Sequence, residues 1–340
     1  MYKTIIRPIF FLINPERVHH IVVTLVSSVR FIPGGKWLLK KVFAIKTQPI
    51  KVVGIEFPNR VGLAAGFDKN ASCFPYMALF GFGHIEVGTV TPKGQPGNEK
   101  PRLFRLCKDN ALINRMGFNN HGVDAAVEKL KKLRRDGVVI GGNIGKNTAT
   151  PNEDAVGDYL DCFIKLYDHV DYFVVNISCP NVTNLHHLQD KDSLSAILGA
   201  IVEHRAKQIT FKPILLKISP DLNFNQIDDT LEVLKQYNID GVVISNTTVT
   251  RDNLITDKSI VENIGRGGLS GKPIKERSTE LIRYVAQKTN HTLPIIGVGG
   301  IMSAADAQEK IDAGASLVQI YTGFIYEGPF LVKRINKQLQ

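Results

Sequence analysis

The chain has 340 residues, 44% of them apolar and 22% charged, a make-up that suits a soluble globular core and fits one α/β barrel as well as two domains. Its net charge of +10 sits mostly in residues 1–48, where Lys3, Arg7, Arg17, Arg30, Lys36, Lys40, Lys41 and Lys46 face Glu16 alone, whereas a nucleic-acid protein spreads its basic face over the folded body. The four cysteines (73, 107, 162 and 179) form no CxxC pair, which argues against a metal site or a disulfide framework and for a reducing compartment.

The first predicted elements are helical. Asn14-Pro15 reads as an N-cap followed by proline at the first helical position. Val18, Ile21, Val22, Leu25, Val26 and Val29 then recur at helical spacing and make one apolar face. Upstream, Ile5, Ile6, Ile9, Phe10 and Ile13 make a second, which Pro8 shortens or kinks, and Pro33-Gly34-Gly35 ends the unit. No apolar run approaches the ~18–20 residues of a spanning helix. The run into Asn14-Pro15-Glu16-Arg17 also lacks the small-residue site of a signal peptide. Two readings stay open: helices packed on the main domain, or a basic helical pair lying on an anionic membrane surface.

From residue 61 the chain alternates short apolar runs with helix-length amphipathic ones. Strands are predicted at 61–65, 84–88, 138–143, 171–176, 212–218, 240–245, 294–298 and 316–320. Helices are predicted at 153–168, 193–208, 225–236, 277–288 and 303–313. Eight such units predict an α/β fold, a (β/α)8 TIM barrel with its active site at the C-terminal strand ends. A doubly wound sheet is the alternative.

The strand ends favour the barrel. They offer Asp68-Lys69, Thr89, Asn143, Asn176 to Asn181, Lys217, Ser245-Asn246-Thr247, Gly299-Gly300 and Tyr321-Thr322. The run from Tyr172 to Asn181 passes from an apolar strand into Asn, Ser, Cys and Asn around Pro180. Polar groups there must be paired or functional, because burying them unpaired costs a few kcal/mol each. Lys217 sits inside an apolar strand run, which makes it a poor surface lysine. The glycines after strands seven and eight stand where barrels commonly bind phosphate.

Several segments together resemble the quinone-linked (class 2) dihydroorotate dehydrogenases along essentially the whole chain. They are Ala64 to Lys69, Glu86 to Pro92, Gln95 to Asn98, Lys100 to Arg105, Asn114 to Asn120, Asn143 to Asn147, Gly267 to Gly271 and Gly297 to Ile301. The resemblance implies FMN across the barrel mouth, with its phosphate near Gly271, Gly300, Tyr321 and Thr322. Its ring would meet Ala65, Gly66, Phe67, Asp68, Lys69, Thr89, Asn143, Asn176, Lys217 and Ser245. Dihydroorotate would be held by Lys69, Asn114, Arg115, Met116, Gly117, Phe118, Asn176, Asn181, Asn246 and Thr247. Asparagine suits such a substrate, since its amide offers both donor and acceptor to an amide-edged ring.

By the same resemblance Cys179 is the catalytic base, Lys217 stabilises charge on the reduced flavin, and His19, Arg102 and Tyr321 lie near the quinone head. Residues 1–48 would then be a membrane and quinone-access segment, and 49–340 the barrel. The implied protein is a monomer, peripheral on the cytoplasmic face of the cell membrane, passing electrons from dihydroorotate to a quinone in pyrimidine biosynthesis. Three departures stand out. Class 2 relatives carry serine where this chain has Cys179, a habit of class 1 enzymes. Val182-Thr183-Asn184-Leu185-His186 replaces the usual lid wording, and Ser245 replaces a threonine. The alternatives are a class 1-like enzyme using a soluble acceptor such as fumarate and a non-catalytic barrel binding a phosphate ligand.

Overall fold

The computed structural model describes residues 2–340 apart from 134, 136, 179 and 182–187. Eight parallel strands close into a barrel: β1 (Val61–Asp68), β2 (His84–Val90), β3 (Val139–Ile144), β4 (Tyr172–Asn176), β5 (Ile214–Ile218), β6 (Gly241–Ile244), β7 (Ile295–Val298) and β8 (Leu317–Ile320). Each pairs with the next in sequence, and β8 returns to β1 through Val318 opposite Val61. Closure excludes the doubly wound alternative.

The strands are apolar on both faces because both are covered. Their outer faces meet the helices, as where Phe173 and Val175 join the main core cluster. Their inner faces meet each other, as where Tyr172, Val174, Leu215 and Val243 fill the barrel. Each such side chain contributes about 1.5–3 kcal/mol on burial. The helices follow the predicted periodicity. Ala155–Leu166 buries Ala155, Tyr159, Cys162, Phe163 and Leu166, one face of a 3.6-residue repeat. Phe224–Gln236 opens with a reciprocal capping box between Asn223 and Gln226.

The N-terminal region forms α1 (Pro15–Ser28) and α2 (Gly35–Phe43), preceded by short helical turns over Tyr2–Phe11. Asn14 caps α1, its Oδ1 accepting the N–H groups of Glu16 and Arg17. The second helix was not among the predicted elements. No single described helix is long and apolar enough to cross a membrane, and the Pro15–Phe31 and Gly35–Phe43 segments meet at a bend of 120°. Here Phe31 is 73% exposed and Trp37 64% exposed, and Ile32 and Leu38, their neighbours in sequence, are exposed too.

Polar ties fix this region to the barrel. The Tyr2 hydroxyl donates to the Ile325 carbonyl at 2.5 Å, and Arg7 donates to that of Tyr326. Arg105 stacks on the Phe11 ring and donates to the Ile13 carbonyl at 2.7 Å. Glu16 is buried and meets Arg102 at 2.7 Å.

A small antiparallel sheet, also unpredicted, stands beside the mouth. Gly268–Gly271, from the β6–β7 connection, pairs with Ala111–Asn114, which pairs with Leu103–Leu106, both from the β2–β3 connection. Two distant insertions thereby become one wall.

Candidate active site

The C-terminal strand ends converge on a cleft lined by Ala65, Gly66, Lys69, Thr89, Asn176, Lys217, Ser245, Asn246, Thr247, Gly300, Tyr321 and Thr322. The small sheet and the segment after it add Asn114, Met116, Gly117, Phe118 and Gly271, and the β4 exit adds Asn181. Side chains alternate along a strand, so residues two apart share the inner face. Glu86 on β2 lies opposite Gly141 of β3, and Asn143 follows two residues on. Asn176 of β4 lies opposite Lys217 of β5.

These side chains form one hydrogen-bonded floor. Asn176 Nδ2 donates to Thr89 Oγ1 at 2.9 Å, and Thr89 Oγ1 donates to Asn143 Oδ1 at 2.5 Å. Asn143 Nδ2 donates to Glu86 Oε1 at 2.6 Å, and Gln319 Nε2 to Glu86 Oε2 at 2.8 Å. On the other side, Asn246 Nδ2 donates to Asn176 Oδ1 and Ser178 Oγ, and Ser178 Oγ donates to the Lys217 carbonyl. Gln319 Oε1 is left without a hydrogen-bond partner among the described residues, but the bonds that are made stiffen the floor, because each is strong in a low dielectric and costly to break. Two features are aimed outward from it. The Lys217 ammonium lies 3.6 Å from Glu86, an ion pair longer than a normal hydrogen bond, while its side chain lines the cleft. Asn181 donates to Asn114 Oδ1 at 2.7 Å, yet its own Oδ1 is buried without a partner among the described residues. A ligand bearing a ring N–H would satisfy it.

One end of the cleft is a cradle of glycines and hydroxyls. Gly300 has φ +72, and a Cβ there would stand 2.3 Å from Lys275 Cα, so only glycine admits this close approach. Ser270 Oγ and Thr322 Oγ1 lie 2.8 Å apart beside Gly271, where the helix Thr322–Glu327 begins. One of these hydroxyls donates to the other, so one hydroxyl proton and the first-turn N–H groups remain to meet a phosphate, and the residues present fit a phosphorylated cofactor.

Four residues predicted to line the cleft place their side chains outside it. Phe67 packs edge-on against His19 and belongs to the neighbouring tunnel. The Asp68 carboxylate accepts the N–H groups of Ser72, Cys73 and Phe74, so it closes a turn, and only its backbone is left for a ligand. Burial pushes this carboxyl above its ordinary value, against the pull of those bonds. Asn143 is fully buried beneath the cleft. Arg115 reaches away, donating to the Pro101 and Ile264 carbonyls and lying over the Phe104 ring. Cys179 lies outside the described residues, as does the 182–186 segment.

Beside the cleft runs an apolar tunnel lined by Val18, His19, Val22, Leu25 and Val26 of α1, by Phe10 and Phe11, and by Phe67, Met77, Phe80 and Phe324. Tyr321, Leu103 and Leu112 line both spaces. His19 is held neutral: burial, then the nearby charges of Lys69 and His20, push its pKa down to about 4. Burial pushes the Tyr321 hydroxyl up to about 12. Arg102, expected near the tunnel's ligand, is instead held by Glu16 and by the Pro96 and Asn98 carbonyls, and it does not line the tunnel. Burial pushes Glu16 up, but the hydrogen bond and charge of Arg102, with Lys100 and His20 behind, outweigh it and hold the carboxyl below its ordinary value.

Sequence reasoning gave no site role to Glu86, Gln319, Ser178 or Ser270. For Glu86 a signal existed: a carboxylate inside the apolar run Ile85-Glu86-Val87 must find partners, as Lys217 must.

Closed barrel, amide-lined mouth and phosphate cradle define a (β/α)8 enzyme of the cofactor-binding kind. The family model described as dihydroorotate dehydrogenase matches residues 48–340. A "dihydroorotate dehydrogenase (quinone)" from Christiangramia forsetii is 52% identical over 341 residues, covering 100% of this chain and 98% of the relative. One of the same name from Idiomarina loihiensis is 44% identical, with 100% of both chains covered. The crystal structure of Eimeria tenella DHODH in complex with ferulenol superposes with a TM-score of 0.83 at 35% identity, covering 96% of this chain and 90% of that one. This chain belongs to the dihydroorotate dehydrogenase family of oxidoreductases, among its quinone-linked class 2 members.

Proposed function

We propose that this chain oxidises (S)-dihydroorotate to orotate with FMN as resident cofactor and a membrane quinone as final electron acceptor, within pyrimidine (UMP) biosynthesis. The observation that carries this reading is the abutment of two unlike spaces. A polar cleft suited to an amide-edged acid and a phosphate meets an apolar tunnel suited to a quinone, and Tyr321 is common to both. The alternatives, a fumarate-linked enzyme and a non-catalytic phosphate binder, leave the tunnel without a use.

FMN, when bound, supplies the acceptor for the hydride from substrate C6 and the relay of two electrons to the quinone. The chain does the rest. Asn114, Asn176, Asn181 and Asn246 orient the substrate's edge, and a mispaired analogue would leave these buried amides unsatisfied. Lys69, which meets Asn119 and Met116, adds a cation for the substrate carboxylate. Cys179 takes the C5 proton as the C5=C6 double bond forms, and Lys217 stabilises negative charge developing opposite it. Ser270, Gly271, Gly300 and Thr322 hold the phosphate.

We read residues 1–48 as the quinone-access and membrane-docking segment and 49–340 as the catalytic barrel, working as a peripheral monomer on the cytoplasmic face of the cell membrane. The exposed Phe31, Trp37 and Leu38, with Lys36, Lys40 and Lys41 among them, support the docking face. Comparing ubiquinone, menaquinone and fumarate as acceptors for protein reduced by dihydroorotate tests the proposal. Quinone turnover well above fumarate turnover is expected, and the reverse order would overturn it.

A further inference from the structure

Glu86 is a fully buried carboxylate under the cleft, and the reaction outlined above does not use it. Its orientation is fixed by two neutral amides, Asn143 Nδ2 on Oε1 and Gln319 Nε2 on Oε2. Lys217 is its only ion-pair partner among the described residues. The geometry is layered: Lys217 lines the cleft, whereas Glu86 stands behind it and does not. A ligand over Lys217 therefore feels a near cation and a more distant anion. Coulomb interaction falls with distance, so the lysine dominates and the carboxylate subtracts from it.

We propose that Glu86 sets the redox poise of the cofactor by cancelling part of the Lys217 field, so that the reduced, negatively charged form is stabilised enough to be made and not too much to be reoxidised. The inference rests on the reading that a flavin lies over Lys217. Glu86 is a positioning residue here, since it acts on the site through charge and through the amides that hold it.

Equilibrium reduction of the flavin-loaded protein against a reference dye tests this with Lys217→Met, Glu86→Gln and the double variant. Lys217→Met should lower the midpoint potential. Glu86→Gln should raise it, by roughly tenfold in the reduced-to-oxidised ratio, or ~30 mV for two electrons. The double variant should fall between the two single variants and somewhat below wild type, because the nearer charge counts more. A structural role alone would not give opposite signs that offset one another.

An unchanged or lowered potential in Glu86→Gln overturns the proposal. If Glu86→Gln does not fold, the comparison passes to the double variant, which leaves no unpaired buried charge. Its potential must lie above that of Lys217→Met, and equal values overturn the proposal. A wild-type protein that takes up no flavin overturns the underlying reading of the site, a result distinct from a bound flavin whose potential ignores residue 86.

Discussion

The mouth cleft and the tunnel are neighbours built on opposite principles. The cleft is held by directional bonds: Thr89, Asn143, Asn176, Asn246, Ser178, Glu86 and Lys217 fix one another through hydrogen bonds and a buried ion pair. The tunnel is held by shape. Its walls are mostly aliphatic and aromatic, with Arg105 and the tyrosines Tyr2 and Tyr321 at their edges, and its histidine, His19, is kept neutral. The difference teaches that specificity and access are separable. A polar network rejects a ligand that leaves one of its members unpaired, while an apolar channel accepts anything greasy of the right width.

Substitutions that touch one space and spare the other sharpen this comparison. The largest effect is expected from Cys179→Ala, which removes the proposed proton acceptor. Flavin reduction by dihydroorotate, followed by stopped flow, should slow by ~100- to 10,000-fold while FMN and orotate still bind. Wild-type reduction should rise with pH as the thiolate population grows and then level off, and Cys179→Ser should shift that profile to higher pH. An alanine variant within a few-fold of wild type would assign the C5 proton to another group.

Lys217→Ala comes next. Losing a cation aimed at developing charge in a dry site should slow reduction by roughly 100- to 1000-fold and weaken FMN retention. It also leaves Glu86 buried without its cation, a loss of about 3–5 kcal/mol measurable by urea unfolding. Normal reduction in a variant that keeps its flavin would remove Lys217 from the mechanism.

For the tunnel, Val22→Trp narrows the channel without reaching the cleft. An indole filling that space competes with the quinone tail, so turnover with long-chain quinones should fall roughly tenfold or more, the equivalent of ~1.4 kcal/mol or more of lost binding. Bleaching of the flavin by dihydroorotate should keep its rate. Equal losses in both half-reactions would show that the two spaces are not separable.

The smallest effects are those of pH on the docking of α1. The folded-state pKa of His19, about 4, lies below its ordinary 6.5, so the unfolded chain binds more protons between those values. Stability should therefore decline as pH falls from 6.5 toward 4. Glu16 is also lowered, so the stability it contributes is present above its ordinary 4.5 and lost as pH falls through its folded value. Thermal melts of His19→Asn should show a flatter decline between pH 6.5 and 4.5. An unaltered slope would place the acid sensitivity elsewhere.

Local pattern made much of this molecule legible. All eight strands and the five named barrel helices stand within a few residues of their predicted spans, because a strand buried on both faces is apolar throughout and an amphipathic helix repeats its apolar face. Asn14-Pro15 also announced its helix, since capping is a matter of adjacent residues. Hence the strand-end residues Lys69, Thr89, Asn176, Lys217, Asn246 and Tyr321 could be named in advance as lining one mouth.

Where a side chain points at longer range was not legible. Asp68 and Arg115 sit in matching segments yet turn to nearby backbone, and Arg102 is taken by Glu16, 86 positions away. The small sheet exists only because two loops of different βα units meet. Sequence by itself determined the elements, their order and the chemistry at each strand end, since these follow from periodicity and from groups adjacent along the chain. Tertiary structure alone decided that Gln319 holds Glu86 across 233 positions, that Lys217 stands in front of that carboxylate, and that cleft and tunnel share Tyr321. Barrel closure joins β8 to β1, and no local pattern records which distant side chains that closure brings within hydrogen-bonding reach.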